Sequence, residues 1–290
     1  MDILFIIHFL NAFLMIALPI ILGIYLTHRF KLGWRLFWIG AAGFTLSQVL
    51  HIPFNNLVSV LFRNGTLPVP PAAWQPVFNA VFLGLSAGIF EEVTRYFVYR
   101  LWAKQARTWR KGILLGAGHG GIEAIILGLL VLLGFINMAI LRTADIASLV
   151  PADQVAAVQQ SVSAYWSASW YDSLVGALER LFTLPAQIAF SVLVLQVFVR
   201  GSKRWLGLAI LWHAVIDAVA VYISSKIGIM PTEGVIGLFA IISVGIIFFF
   251  RQPEPEPEPE IQAPPLEIRA EIWAKESAIS HEDLEKTRYN

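Results

Sequence analysis

An all-α bundle of about seven membrane-spanning helices is the fold this sequence predicts, and three observations predict it. Hydrophobic residues make up 57% of the 290-residue chain and charged residues only 14%, roughly half the usual charged share of soluble domains. Mean hydropathy is +0.67. The apolar residues fall in seven runs of roughly 20 residues, the length that a ~30 Å hydrocarbon core demands of a helix. These figures exclude an ordinary water-soluble globule, a nucleic-acid binder and a disordered chain. The chain has no cysteine, which also excludes disulfides, thiolate metal sites, Fe–S clusters and cysteine nucleophiles.

The first span covers about 3–26. It has neither a basic leading segment nor a small-residue cleavage site, so it reads as a retained helix rather than a removed signal. The second covers about 36–62. The third, about 77–101, starts after the breaker run Leu67-Pro68-Val69-Pro70-Pro71, and the fourth covers about 112–136. A loop over 141–170 follows, in which 152–168 is weakly amphipathic and reads as a helix lying on the surface. The fifth span is about 172–199, the sixth 205–224, and the seventh 234–250, ending in Phe248-Phe249-Phe250.

Loop charge orients the bundle. His28, Arg29, Lys31 and Arg35 follow the first span. Lys104, Arg107, Arg110 and Lys111 follow the third, Arg200, Lys203 and Arg204 the fifth, and Arg251 the seventh. The alternate loops carry only Arg63, Arg142 and Lys226. Every second loop is basic, which fits an odd number of spans with the N-terminus outside and the C-terminus in the cytoplasm. Trp34, Trp102, Trp109 and Trp205 stand where an interfacial aromatic belt belongs.

The net charge of +1 hides a split. Residues 252–290 carry ten acids against four bases, and residues 1–251 seventeen bases against ten acids. The organisation expected is therefore a transmembrane domain over 1–251 and a Pro-Glu-rich acidic cytoplasmic tail over 252–290. The tail opens with a proline–glutamate alternation from Pro253 to Glu260 that favours extended polyproline II. A short helix is expected within 266–290, with Ser280 and Asp283 forming a capping box. No repeat of hydropathy is visible, which counts against a repeat-built transporter.

Five acids fall inside the spans: Glu91, Glu92, Glu123, Glu179 and Asp217. An ionised group at mid-membrane costs roughly 2.5–3.5 kcal/mol on insertion scales, so such groups are functional candidates. Arg95 is four residues from Glu91 and three from Glu92, putting a base on the acids' helix face. His119 and Glu123 are four apart, as are His213 and Asp217. Each pair projects an imidazole and a carboxylate from one face, a spacing that suits a shared metal ion or a histidine oriented by an acid. Counted from the basic helix ends at ~1.5 Å per residue, Glu91, His119 and His213 lie about 16, 11 and 12 Å deep, in one layer. Glu179, about 31 Å from Arg200 on that count, falls outside the layer, and Glu179 with Arg180 reads as structural. His8, His28 and His51 have no carboxylate at helical spacing and read as structural too.

The segments Glu91-Glu92-Val93-Thr94-Arg95-Tyr96, Gly118-His119-Gly120-Gly121-Ile122-Glu123, Glu179-Arg180 and His213-Ala214-Val215-Ile216-Asp217 resemble the YhfC family of intramembrane metalloproteases. That family is itself similar to the CAAX-protease and bacteriocin-processing group. The resemblance covers about residues 3–250 and leaves out the tail. It implies a multi-pass protein of the bacterial cytoplasmic membrane that hydrolyses a peptide bond of a membrane or membrane-associated substrate. Zinc or another divalent metal is the implied cofactor, although the related group is compatible with metal-free roles for its histidines. In this reading Glu91 or Glu92 activates water. His119 is a water or metal ligand, and His213 with Asp217 a ligand pair or an oxyanion stabiliser. Two departures stand out. The wider group spaces its motif Glu-Glu-x-x-x-Arg, whereas two residues separate Glu92 from Arg95 here. Gln187 also occupies the region where a histidine is expected. The base is assigned to Glu91, which shares a stripe with Arg95 and corresponds to the group's first acid. The alternative reading is a non-proteolytic membrane protein, either a cation or proton-coupled transporter or a binding scaffold, since buried Glu, His and Asp also build proton relays.

Overall fold

The computed structural model of the chain describes residues 3–253. The Pro-Glu run from Glu254 onward, the helix expected within 266–290 and His281 lie outside the described residues. Eight α-helices are present among those described: α1 (Ile3–Phe30), α2 (Arg35–Arg63), α3 (Gln75–Phe97), α4 (Trp109–Leu141), α5 (Val155–Trp166), α6 (Val175–Val199), α7 (Arg204–Lys226) and α8 (Ile229–Phe249). All but α5 are long and apolar enough to cross a membrane, which makes seven candidate spans and bears out the expected all-helical fold. Their outer faces carry exposed Ile, Leu, Val and Phe, while Glu91, Glu92, Arg95, His119, Arg180 and His213 are buried. That distribution suits a protein solvated by lipid.

The helices differ from the sequence expectation mainly at their ends. α3 continues into a π-helical turn, Val98–Trp102, closed by Ala103 N donating to Val98 O at 2.9 Å. α8 starts at Ile229, where 234 was expected, because Pro231 falls in its first turn, where a missing N–H costs nothing. α5 is the helix expected within 152–168. It lies largely exposed, with Val162 alone buried, and is held by His8 Nε2 against Tyr165 O at 3.2 Å and by Trp166 Nε1 donating to Met138 O at 3.1 Å. α6 is the most enclosed span, buried at nearly every position from Leu184 to Val197. Asn11 of α1 accepts from its Ala177 N–H at 2.8 Å, satisfying a donor that a helix start leaves free.

Glycines set how closely the spans approach. A Cβ at Gly84 would lie 2.5 Å from Ala214 O, and one at Gly88 2.7 Å from Ile210 O. The Gly84-x-x-x-Gly88 pair thus seats α3 directly on the backbone of α7, running antiparallel. A Cβ at Gly118 would lie 1.9 Å from Phe37 O, and one at Gly40 2.0 Å from Leu115 O, so α4 and α2 touch backbone to backbone. Gly116 and Gly120, on another face of α4, would meet Ser191 and Gln187 of α6. These crossings bring His213, His119 and Gln187 within hydrogen-bonding reach of α3.

Candidate active site

Successive residues on a helix point ~100° apart, and on α3 that divergence separates two acids. Glu92 turns toward α7. Arg95 Nη1 donates to its two carboxylate oxygens at 2.9 and 2.8 Å, and His213 Nδ1 stands 2.8 Å from Oε1. Glu91 turns toward α2 and α4. Its Oε1 accepts from Gln48 Nε2 at 3.0 Å, and its Oε2 lies 3.1 Å from His119 Nε2. Glu92, Arg95 and His119 are all 0% exposed. Gln187 of α6 joins the two halves: its Oε1 accepts from Arg95 Nη2, while its Nε2 donates to Glu123 Oε2 at 2.8 Å and more weakly to Glu91 Oε2 at 3.4 Å. Aromatic rings wall the cluster. Phe190 stacks on His213 with centroids 4.3 Å apart, and Phe44 meets His119 edge-on at 5.3 Å.

A second polar group adjoins the first. Arg180 Nη1 donates to Glu123 Oε1 at 2.7 Å, and its Nη2 to Glu179. Through Gln187 this makes one continuous chain of polar side chains from His213 to Glu179. Asp217 sits on the open flank of His213, with Oδ2 3.4 Å from Nε2 and its side chain 39% exposed.

The residues singled out from sequence therefore gather, and two of the pairs that spacing names are present, Glu92 with Arg95 and His213 with Asp217. Glu91, Glu92, Arg95, His119, His213 and Gln187 form one cluster, with Asp217 at its edge. Arg95 takes Glu92 rather than Glu91. His119 pairs with Glu91 across helices instead of with Glu123 one turn along α4, and Glu123 goes to Arg180 and Gln187. The sequence reading missed Gln48. It also set aside His51, which lies within electrostatic reach of Glu91, His213 and Asp217. Ser47, Gln48, His51 and Asn55 recur at three- and four-residue intervals along an otherwise apolar span, and that stripe was the available signal. His51 Nε2 contacts both Ser86 Oγ at 3.0 Å and Asn55 Nδ2 at 2.9 Å. Serine and asparagine share one ring nitrogen, so the three do not form an oriented nucleophile–base relay.

The donor set can be tested against a metal. A catalytic zinc takes three protein ligands and leaves a fourth position open. Among the described residues no three His, Asp or Glu side chains converge in that way. The expected ligands His119, His213 and Asp217 are divided between two pairs. Both ring nitrogens of His213 face carboxylates, and a guanidinium already neutralises Glu92. His119 Nδ1, buried and without a hydrogen-bond partner among the described residues, has no carboxylate opposite it. As arranged, the cluster offers two-donor sites and does not complete a three-donor one.

Comparison with known proteins gives the chain a family. A model of the YhfC intramembrane metalloprotease family matches residues 14–252. A Bacillus subtilis (strain 168) protein described as an uncharacterized membrane protein, YhfC, is 29% identical over 215 residues, covering 73% of this chain and 82% of that protein. No solved structure matches.

Proposed function

The chain belongs to the YhfC intramembrane metalloprotease family, and from that premise we propose that it is a membrane-embedded peptidase whose attacking water is activated by Glu91. The family name implies a metal ion, for which no three-donor site is complete among the described residues. The observation that carries the reading is the unequal company of the two acids. Arg95 and His213 hold Glu92, whereas Glu91 has no guanidinium within hydrogen-bonding distance and faces an imidazole and a neutral amide. A carboxylate so placed takes a proton from water as the water oxygen attacks the scissile carbonyl carbon, and later passes that proton to the leaving amide nitrogen. His119 orients Glu91 and shares its proton. His213 Nε2, which Asp217 meets only at 3.4 Å, donates to the oxyanion, while the Glu92–Arg95 pair holds the ring through Nδ1. The substrate class is a membrane protein or a membrane-associated peptide.

The test compares new protein termini in cells carrying the wild type with those in cells carrying Glu91→Gln at equal abundance. Termini that depend on Glu91 support the reading, and identical terminus profiles count against it. A second reading, cation or proton transport, is favoured by the continuous polar chain from His213 through Arg95, Gln187 and Glu123 to Glu179. It predicts ion flux in proteoliposomes that Glu123→Gln abolishes, with no Glu91-dependent termini.

A further inference from the structure

At the basic end of the bundle, a cavity of about 390 Å³ lies where the first turns of α2 and α4 meet the residues that follow the π-helical turn. Arg35, Lys104 and Lys111 line it, together with the apolar Leu36 and Ile39 and the exposed Trp102. The cations at this end divide into two sets. Arg107 is consumed by the fold, donating to Tyr99 O and Ala103 O at 3.0 Å and to Ala106 O at 3.3 Å, with its guanidinium 4.3 Å from the Phe198 ring centroid. Arg200 lies over Trp205 and Phe250, and Arg251 over Trp109. By contrast, Arg35 and Lys104 make no hydrogen bond or ion pair among the described residues, and Lys111 makes one long bond, to Gln105 O at 3.4 Å.

Among the described residues, the segments that form this end hold no counter-charge. No aspartate or glutamate occurs in residues 26–36, 98–111 or 199–206. The field is strengthened by two long helices that begin at the cavity. Neither has a side-chain cap, since Trp34 and Thr108 make no capping bond, and the N-terminal end of a helix carries partial positive charge.

We propose that this cavity binds a phosphate group, specifically the phosphodiester headgroup of an anionic phospholipid. Arg35, Lys104 and Lys111 meet the phosphate oxygens, Leu36 and Ile39 give the acyl chain an apolar wall, and Trp102 sits at headgroup level. The site is separate from the buried carboxylate cluster and does not depend on the peptidase reading. Purified full-length protein in non-ionic detergent is titrated with phosphatidylglycerol, phosphatidylcholine or inorganic phosphate, and followed by native mass spectrometry and thermal unfolding. Phosphatidylglycerol is expected to bind and raise the melting temperature, and phosphatidylcholine to do neither. Arg35→Gln, Lys104→Gln and Lys111→Gln should each weaken binding roughly fivefold and the triple variant on the order of a hundredfold. Arg63→Gln, at the far end of α2, should change nothing. Stabilisation by inorganic phosphate that the triple variant loses assigns the cavity to the phosphate group itself. Stabilisation by phosphatidylglycerol alone assigns it to the lipid. Equal binding of both lipids, or undiminished phosphatidylglycerol binding by the triple variant, overturns the proposal.

Discussion

Glu91 and Glu92 are adjacent in sequence, yet their neutralisation should respond very differently. Glu92→Gln removes the partner of a guanidinium that is 0% exposed, and breaking a buried ion pair from one side costs about 3–5 kcal/mol. Glu91→Gln removes no guanidinium's partner and keeps an oxygen to accept from Gln48. Thermal unfolding in detergent should show a large fall in melting temperature for Glu92→Gln and a small change for Glu91→Gln. Turnover, once a substrate is in hand, should be lost in Glu91→Gln at normal protein levels. Equal loss of stability in both variants with no selective loss of turnover would mean a structural ion-pair cluster and would remove the peptidase reading. Gln187→Leu should cost about 1–3 kcal/mol, because Arg95 and Glu123 are each left short of a buried partner. The members of this cluster were legible in the sequence because ionisable residues stand out in apolar runs. Of their partners, only those on the same helix were legible, Arg95 for Glu92 and Asp217 for His213. Helical spacing names only partners on the same helix, which is why His119 reads as the mate of Glu123 when it meets Glu91 across two helices. Gln48 carries no charge and so drew no attention in a span that also holds Ser47, His51 and Asn55.

The glycine crossings tie the elements to the site. Gly88 rests on the backbone of α7, a few residues from the pair Glu92–His213. Gly88→Ala would push its Cβ to 2.7 Å from Ile210 O, a backbone atom that cannot turn aside, so overpacking of about 1–3 kcal/mol is expected. Gly134 makes the control. Nothing lies within 4 Å of a Cβ there, and Gly134→Ala should stabilise α4 by up to about 1 kcal/mol through helix propensity. Melting temperatures of the two variants should therefore move in opposite directions, and a shared direction would mean that the α3–α7 contact does not set the packing. The spans themselves were easy to read, since a run of apolar residues of membrane length admits few alternatives. Their ends were harder. α8 starts at Ile229, ahead of the expected 234, with Pro231 in its first turn, and nothing in Val98–Trp102 marks the π-helical turn, beside which Arg107 reaches back to the carbonyls of Tyr99 and Ala103.

At the scale of the whole molecule, the sided distribution of charge should orient seven spans. The four segments 28–35, 104–111, 200–204 and 251 carry the Lys and Arg clusters, while the alternate loops hold Arg63, Arg142 and Lys226. Retention of cationic loops on the cytoplasmic side should put Thr108 and Ser202 inside and Gly65 and Ala147 outside. Gln262, beyond the described residues, is expected inside on the same reading of loop charge. The acidic segment that follows Pro253 has no apolar run with which to re-enter a bilayer, so truncation after Arg251 should leave folding and peptide-bond hydrolysis intact. The orientation can be tested directly, because the chain has no cysteine and any introduced thiol reports its own side alone. With an impermeant thiol reagent on intact cells, Gly65→Cys and Ala147→Cys should label, while Thr108→Cys, Ser202→Cys and Gln262→Cys should label only after permeabilisation. External labelling of Ser202→Cys would reverse the bundle. The layer of Glu91, His119 and His213, about 11–16 Å from the basic ends, would then lie nearer the outer surface, and its substrate would have to approach from that side.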